Sequence, residues 1–187
     1  MLTKSELRSQ IRQKRKKLDE DDSSARSVSI SESFFSVSDI CDKDTYMLYS
    51  DFDNEVKTGS IYNKLRDISK TVFMPVVSGD DILIYPVTDS MRINHFGILE
   101  PLATGTSAEP SDIDVFVVPG ICFDRKGGRV GFGRGYYDRL LAFAKSDAVK
   151  VGLAYDFQIV DDVYSEDYDI MMDYIITDKE IIRTREL

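Results

Sequence analysis

Asp114–Leu141 reads DVFVVPGICFDRKGGRVGFGRGYYDRLL. Val115 to Val118 are continuously apolar and stop at Pro119-Gly120, the pattern of a strand buried on both faces. From Gly127 to Gly135, nine positions hold five of the chain's eleven glycines. Tyr136, Tyr137, Asp138 and an apolar run predicted as a helix (137–145) follow. A strand, a glycine-rich loop and a helix in that order place the loop at a strand's carboxyl end, where α/β folds hold ligands. Glycines let backbone N–H groups approach an anion. The start of the following helix adds the positive end of its dipole, and arginines add bidentate donors. From Asp124 to Arg139 there are five cations (Arg125, Lys126, Arg129, Arg134, Arg139) against two acids, a local charge of +3 in a chain whose net charge is −9. A phosphate-bearing ligand is the expectation.

Outward from this stretch, strands and helices alternate. Thr3-x-x-Glu6 is a capping box opening a helix over 3–18, with Leu7, Ile11 and Leu18 on its apolar stripe. A second helix is predicted through the twenties and thirties with Ala25, Val28 and Phe35 inward, and a third carries Ile61, Leu65 and Ile68. Strands are predicted at 45–50, 71–77, 82–87, 151–156 and 173–177, while 88–111 reads as irregular. The pattern predicts one α/β domain over 1–187, a mainly parallel sheet between helices in three layers.

Composition excludes several functions. The two cysteines, Cys41 and Cys122, lack zinc-site spacing. The single histidine, His95, has no nucleophile motif around it and reads as an ordinary loop residue. An acidic chain argues against a nucleic-acid binder. No stretch approaches a membrane span, and the charged N-terminus has no signal-peptide core, so a cytoplasmic protein with no membrane partner is expected. Gly128 to Gly133 has P-loop spacing but lacks the following Lys and Ser/Thr, and Gly131 to Gly135 is GxGxG rather than GxGxxG. Asp138 is placed either to complement a helix dipole or to hold magnesium beside phosphate oxygens. For a second acid the sequence offers Asp167, Asp169 and Asp173.

VPGICFDRKGGRVGFGRGYYDRLL closely resembles the signature of the 5-formyltetrahydrofolate cyclo-ligase family, VPG-x-x-FD-x-x-G-x-R-x-G-x-G-x-GYYD. KSELR (Lys4, Ser5, Glu6, Leu7, Arg8) is similar to that family's nucleotide-contacting helix. YSDFDNEVKT resembles its substrate segment, FGILEP its G-I-x-EP turn, and YDIMMDYIIT its closing metal-binding segment. Two positions depart from the pattern: Tyr168 stands where many members have histidine, and Arg134 where others have lysine or glycine.

The resemblance implies conversion of 5-formyltetrahydrofolate and ATP to 5,10-methenyltetrahydrofolate, ADP and phosphate, with Mg2+ as cofactor. It implies an ATP cradle of Lys4 to Arg8 and Arg129, Val130, Gly131, Phe132, Gly133, Arg134, Gly135, Tyr136 and Tyr137. Folate contacts would come from Tyr49, Ser50, Glu55, Phe96, Arg134 and Tyr136. Arg134 and Tyr136 would act where phosphate and formyl group meet, and Asp138 and Asp169, with Asp173 in reserve, would hold the metal. The expected assembly is a monomer or weak homodimer. A sugar-phosphate isomerase of the same fold, a non-catalytic nucleotide sensor and a divergent paralogue acting on another amide are the competing readings; the Lys4/Arg8 pair and the acids near the phosphates speak against the first two.

Overall fold

The computed structural model describes residues 2–88, 90–95, 97–166 and 168–184. Helix α1 (Lys4–Arg15) is followed by α2 (Glu20–Phe34), the single turn α3 (Ser38–Cys41), strand β1 (Thr45–Met47), α4 (Gly59–Asp67), β2 (Thr71–Ser78) and β3 (Asp81–Pro86). Then come β4 (Met91–Ile93), β5 (Leu99–Pro101), β6 (Val115–Val118), β7 (Cys122–Asp124), β8 (Arg129–Val130) and α5 (Tyr136–Leu141). The chain closes with β9 (Val149–Ala154), β10 (Ile159–Val160), β11 (Tyr174–Thr177) and β12 (Ile181–Arg183).

Seven strands form the main sheet in the order β12-β11-β9-β6-β1-β2-β3. The five inner strands pair in parallel, and both edge strands, β12 and β3, pair antiparallel to their neighbours. Side chains alternate between the faces as the strand period requires. Tyr46, Leu48, Val115, Val117, Val151 and Ile176 face one buried layer, together with Ile30 and Phe34 of α2 and Ile61 and Leu65 of α4. Met47, Phe116, Val118 and Ile175 face the other, against Leu140 and Leu141 of α5. The three-layer α/β architecture is the one the alternating pattern predicts.

From β1 the chain passes through α4 to β2, on one side of β1. From β6 it passes through α5 to β9, on the other side. The two connections cover opposite faces. The gap between the ends of β1 and β6 is therefore a topological switch point, where the loops separate and leave a crevice.

Several local expectations are corrected. The inward face of α2 consists of Ser23, Ser27, Ile30, Ser31 and Phe34, while Ala25 and Val28 face solvent and Phe35 is partly buried. Serine can be buried here because its hydroxyl is satisfied: Ser27 Oγ donates to the Ser23 carbonyl oxygen at 2.8 Å and accepts the Lys57 N–H at 3.0 Å. Ile68 is half-exposed, because α4 ends at Asp67. Helix α1 ends at Arg15, short of residue 18, and α5 ends at Leu141, short of 145. The segment 88–111 is not irregular; it carries the β4–β5 hairpin. The glycine-rich stretch does not follow β6 directly either: β7 stands between them and pairs in a small separate sheet with β8, inside the stretch, and with β10.

Candidate active site

A cavity of about 1090 Å³ opens at the switch point. Its floor is Pro119 after β6, the Arg129–Gly135 loop and the first turn of α5; its walls come from α1, Phe52, the β2–β3 turn, the β4–β5 hairpin and the segment around Asp169. The loop's shape needs glycine at Gly133 and Gly135, where φ is +101° and +64°; a side chain there would be strained. Not all of the predicted glycine run serves the cavity. Gly127 and Gly128 turn the chain between β7 and β8, where buried Asp124 accepts the N–H groups of Lys126, Gly128 and Val163 at 2.9–3.0 Å.

The cationic count is redistributed in the same way. Arg125 pairs with Glu180 and Lys126 with Asp162, outside the cavity. The cations that line it are Arg129, Arg134, Arg139, Lys4 and Arg8. Arg8 Nε donates to the Gly131 carbonyl oxygen at 2.8 Å, fixing α1 against the glycine loop. Buried Arg129 donates to the Pro119 carbonyl oxygen at 3.2 Å and to Asp138 Oδ1 at 2.8 Å. Lys4 Nζ lies 2.9 Å from Asp169 Oδ2. Burial works to raise the Asp169 carboxyl, but the Glu166 N–H and the Lys4 ammonium outweigh it and hold its pKa below the ordinary value.

Arg134 is exposed at the cavity mouth, and its Nη1 donates to Tyr136 Oη at 3.2 Å. Tyr136 Oη in turn donates to the Gly79 carbonyl oxygen at 3.2 Å. Arg139 donates to the Arg134 carbonyl oxygen at 2.9 Å and to the Asp80 carbonyl oxygen, tying the loop to the β2–β3 turn. This turn and His95 carried no motif signal, and Phe52 and Ile98, although inside the YSDFDNEVKT and FGILEP segments, were not singled out; all of them line the cavity. Their contribution depends on long-range pairing, which local sequence does not encode.

Of the five N-terminal residues, Lys4 and Arg8 reach the cavity. Glu6 turns back to cap α1, accepting the Thr3 N–H at 2.7 Å, and Leu7 packs in a small core beneath α1 with Ile121 and Val130. Ser5 faces an outer groove on α1. Tyr49 and Glu55 lie in the buried layer behind the cavity wall, and Ser50 is half-buried; none of the three lines it. Tyr49 Oη donates to the Val56 carbonyl oxygen at 2.9 Å. Burial pushes the Glu55 carboxyl up to about 8, against the lowering pull of Arg15 and of the Phe52 N–H. Its charge is felt by the phenol of Tyr137, a cavity residue whose pKa is raised mainly by burial. Phe52, three residues before Glu55, stacks on Phe132 of the glycine loop with ring centroids 5.3 Å apart. Phe96 lies outside the described residues.

Asp138 and Asp169 both line the cavity. Asp173 does not; at the start of β11 it accepts the Lys150 N–H at 2.8 Å and pairs with the Lys150 ammonium at 3.0 Å. Among the described residues no group of three or more His, Cys, Asp or Glu could hold a metal. Two separate carboxylates beside a cationic loop suit magnesium that is bound mostly through phosphate oxygens and water.

A doubly wound α/β sheet with a cationic, glycine-lined cavity at its switch point defines an α/β protein with a site for an anionic ligand. The comparisons make the assignment specific. A model of the 5-formyltetrahydrofolate cyclo-ligase family matches residues 1–178. The 5-formyltetrahydrofolate cyclo-ligase of Mycoplasma pneumoniae is 31% identical over 182 residues, 95% of this chain and 100% of the relative. That of Haemophilus influenzae is 34% identical over 130 residues, 66% of this chain and 70% of the relative. The solved 5,10-methenyltetrahydrofolate synthetase of Aquifex aeolicus superposes with a TM-score of 0.88 at 34% identity, covering 100% of this chain and 95% of that one. The chain belongs to the 5-formyltetrahydrofolate cyclo-ligase family and is an enzyme of that family.

Among the described residues, no helix is long and apolar enough to cross a membrane.

Proposed function

We propose that the enzyme closes 5-formyltetrahydrofolate to 5,10-methenyltetrahydrofolate at the expense of ATP. The observation that carries the ATP part is Arg8 and Lys4 of α1 facing Arg129 and Arg134 across the glycine loop. Four cations around exposed backbone suit a triphosphate better than a monophosphate. A formamide carbon is a poor electrophile and its oxygen a poor leaving group. Attack of the formyl oxygen on the γ-phosphorus expels ADP and changes both. The second folate amine, N10, then attacks the activated carbon, phosphate departs with the formyl oxygen, and the N10 proton is lost. Both steps ask the protein for positioning and charge stabilisation rather than a nucleophile.

In this reading Lys4, Arg8 and Arg129 hold the phosphates, and Arg134 with Tyr136 meets the transferring group. Asp138 and Asp169 would hold magnesium, which supplies charge neutralisation between phosphate oxygens when bound. Phe52 and Phe132 stand at the wall where a flat pterin ring would lie, and Glu55, buried behind that wall with one carboxylate oxygen uncommitted, is the acceptor assigned to its N–H edge.

Mixing the protein with magnesium-ATP and 5-formyltetrahydrofolate tests the proposal. The methenyl chromophore should appear only when both substrates are present. No chromophore with active folate and ATP would sink it. The same assay reads the metal: Asp169→Asn should raise the magnesium concentration for half-maximal turnover, and an unchanged magnesium dependence would remove Asp169 from that role.

A further inference from the structure

Glu55 sits on a loop that is docked on the C-terminal end of α1. Asn54 Nδ2 donates to the Arg15 and Leu18 carbonyl oxygens at 3.0 and 3.2 Å. Arg15 Nη2 donates to Asp53 Oδ2 at 3.1 Å. Asp53 and Asn54 both take left-handed backbone, with φ of 52° and 55°, to make this contact. Arg15 itself is fully buried, and its Nη1 lies 3.7 Å from Glu55 Oε1. That distance is too long for a hydrogen bond, and Arg15 Nε, Arg15 Nη1 and Glu55 Oε1 have no hydrogen-bond partner. A buried arginine is expensive to keep: apolar residues of similar volume often stabilise such a position as well or better. Here the arginine stands behind a carboxylate that has one oxygen uncommitted.

We propose that Arg15 is the positioning residue of the folate half of the site, holding the Glu55 carboxylate in the orientation that receives the pterin N–H donors. The proposal rests on the reading of Glu55 as the pterin acceptor. Several groups face Glu55. Arg15 reaches it from α1, Asp51 and Asp53 from its own loop, Tyr49 from the segment after β1 and Tyr137 from α5, and Tyr155 Oη donates to its carbonyl oxygen. Burial and the two aspartates oppose ionisation of Glu55, while Arg15 favours it. When donors arrive from a ligand, the carboxylate form is the one that binds them, and Arg15 is the fixed countercharge that makes that form accessible. The same helix carries Lys4 and Arg8 at its other end, so α1 supports both halves of the cavity from one rigid element.

The test uses the full chain with Arg15→Met, Arg15→Lys, Glu55→Gln and the double variant Arg15→Met/Glu55→Gln. In the ligand-free protein, the Glu55 carboxyl is followed by carbon NMR and identified by its absence in Glu55→Gln. Its titration should move up by about one pH unit or more in Arg15→Met, the usual size of losing a close opposite charge, and by less in Arg15→Lys. In turnover, Arg15→Met should raise KM for 5-formyltetrahydrofolate roughly tenfold or more, the scale of one lost charged contact. Binding of a non-hydrolysable ATP analogue should change less than about twofold, a fraction of one such contact. The pH profile of kcat/KM for folate should shift upward, Arg15→Lys should recover part of the loss, and the double variant should be no worse than Glu55→Gln alone. A Glu55 titration unmoved by Arg15→Met, or equal weakening of both ligands with an unmoved pH profile, would overturn the proposal and leave Arg15 as a helix-end anchor. If Arg15→Met does not fold, Arg15→Lys carries both readouts. If the wild type converts no folate, the functional reading fails, and the NMR titration still decides whether Arg15 governs Glu55.

Discussion

Arg134 is bound to Tyr136 and backed by Arg139 through its own carbonyl oxygen. In the proposed reaction a guanidinium held that way at the cavity mouth would stabilise charge that grows in the transition state, an effect seen in kcat more than in binding. Arg134→Ala should therefore lower kcat by roughly 10²-fold, with a smaller change in KM for ATP, and Arg134→Lys should recover part of it. Steady-state kinetics on the three proteins decides; a change confined to KM would make Arg134 a binding contact. Glu55 yields a pH prediction. Its folded-state carboxyl titrates near 8, well above the ordinary value, so between about pH 4.5 and 8 the folded state holds a proton that the unfolded state has lost. Its contribution to stability is complete below that window and declines as pH rises through it, by up to about 1.4 kcal/mol per pH unit. Denaturant unfolding of wild type and Glu55→Gln at several pH values should show the wild type's relative stability falling toward pH 8. Folate binding at neutral pH should release a proton, measurable as a dependence of calorimetric heat on the buffer's ionisation enthalpy.

Helix α2 shows how an element's buried face can differ from its apolar stripe. Its buried face is largely serine, and its valine faces solvent. Small hydroxyl side chains let α2 approach the loop at Lys57, whose N–H they satisfy. Ser27→Leu should destabilise by about 1–3 kcal/mol through overpacking, whereas Val28→Ser should stay within about 0.5 kcal/mol. Urea unfolding of the two variants checks this, and the reverse order would restore the apolar stripe as the buried face.

For the whole molecule, α1 is the element on which the cavity depends most. It is joined to the rest through Lys4, Arg8, Arg15 and the small core around Leu7. Deleting the first turns would remove Leu7 from that core as well, so point variants separate binding from folding. Lys4→Ala/Arg8→Ala should weaken a non-hydrolysable ATP analogue by tenfold or more, on the order of one lost charge-assisted contact, and lower the unfolding midpoint by no more than about 2–4 °C, the effect of about 1 kcal/mol in a chain of this size. Titration calorimetry and thermal unfolding read the two quantities. Unchanged affinity would return both residues to the role of surface charge.

Strong local signals carried much of this protein. The apolar run at Val115–Val118, rich in β-branched residues and closed by Pro119-Gly120, marked a doubly covered strand, and the capping box at Thr3 and Glu6 marked where α1 begins. The Gly131–Asp138 stretch located the cavity floor, because backbone exposure and guanidinium charge are properties of neighbouring residues. Tertiary structure decided which of those residues face inward. Arg125 and Lys126 left the site because their carboxylate partners, Glu180 and Asp162, come from distant segments. Glu55 went behind the cavity wall, and Arg15 was buried against it across 40 positions of sequence. A side chain's partner across the fold is set by strand order and helix packing, and no local pattern of residues records it.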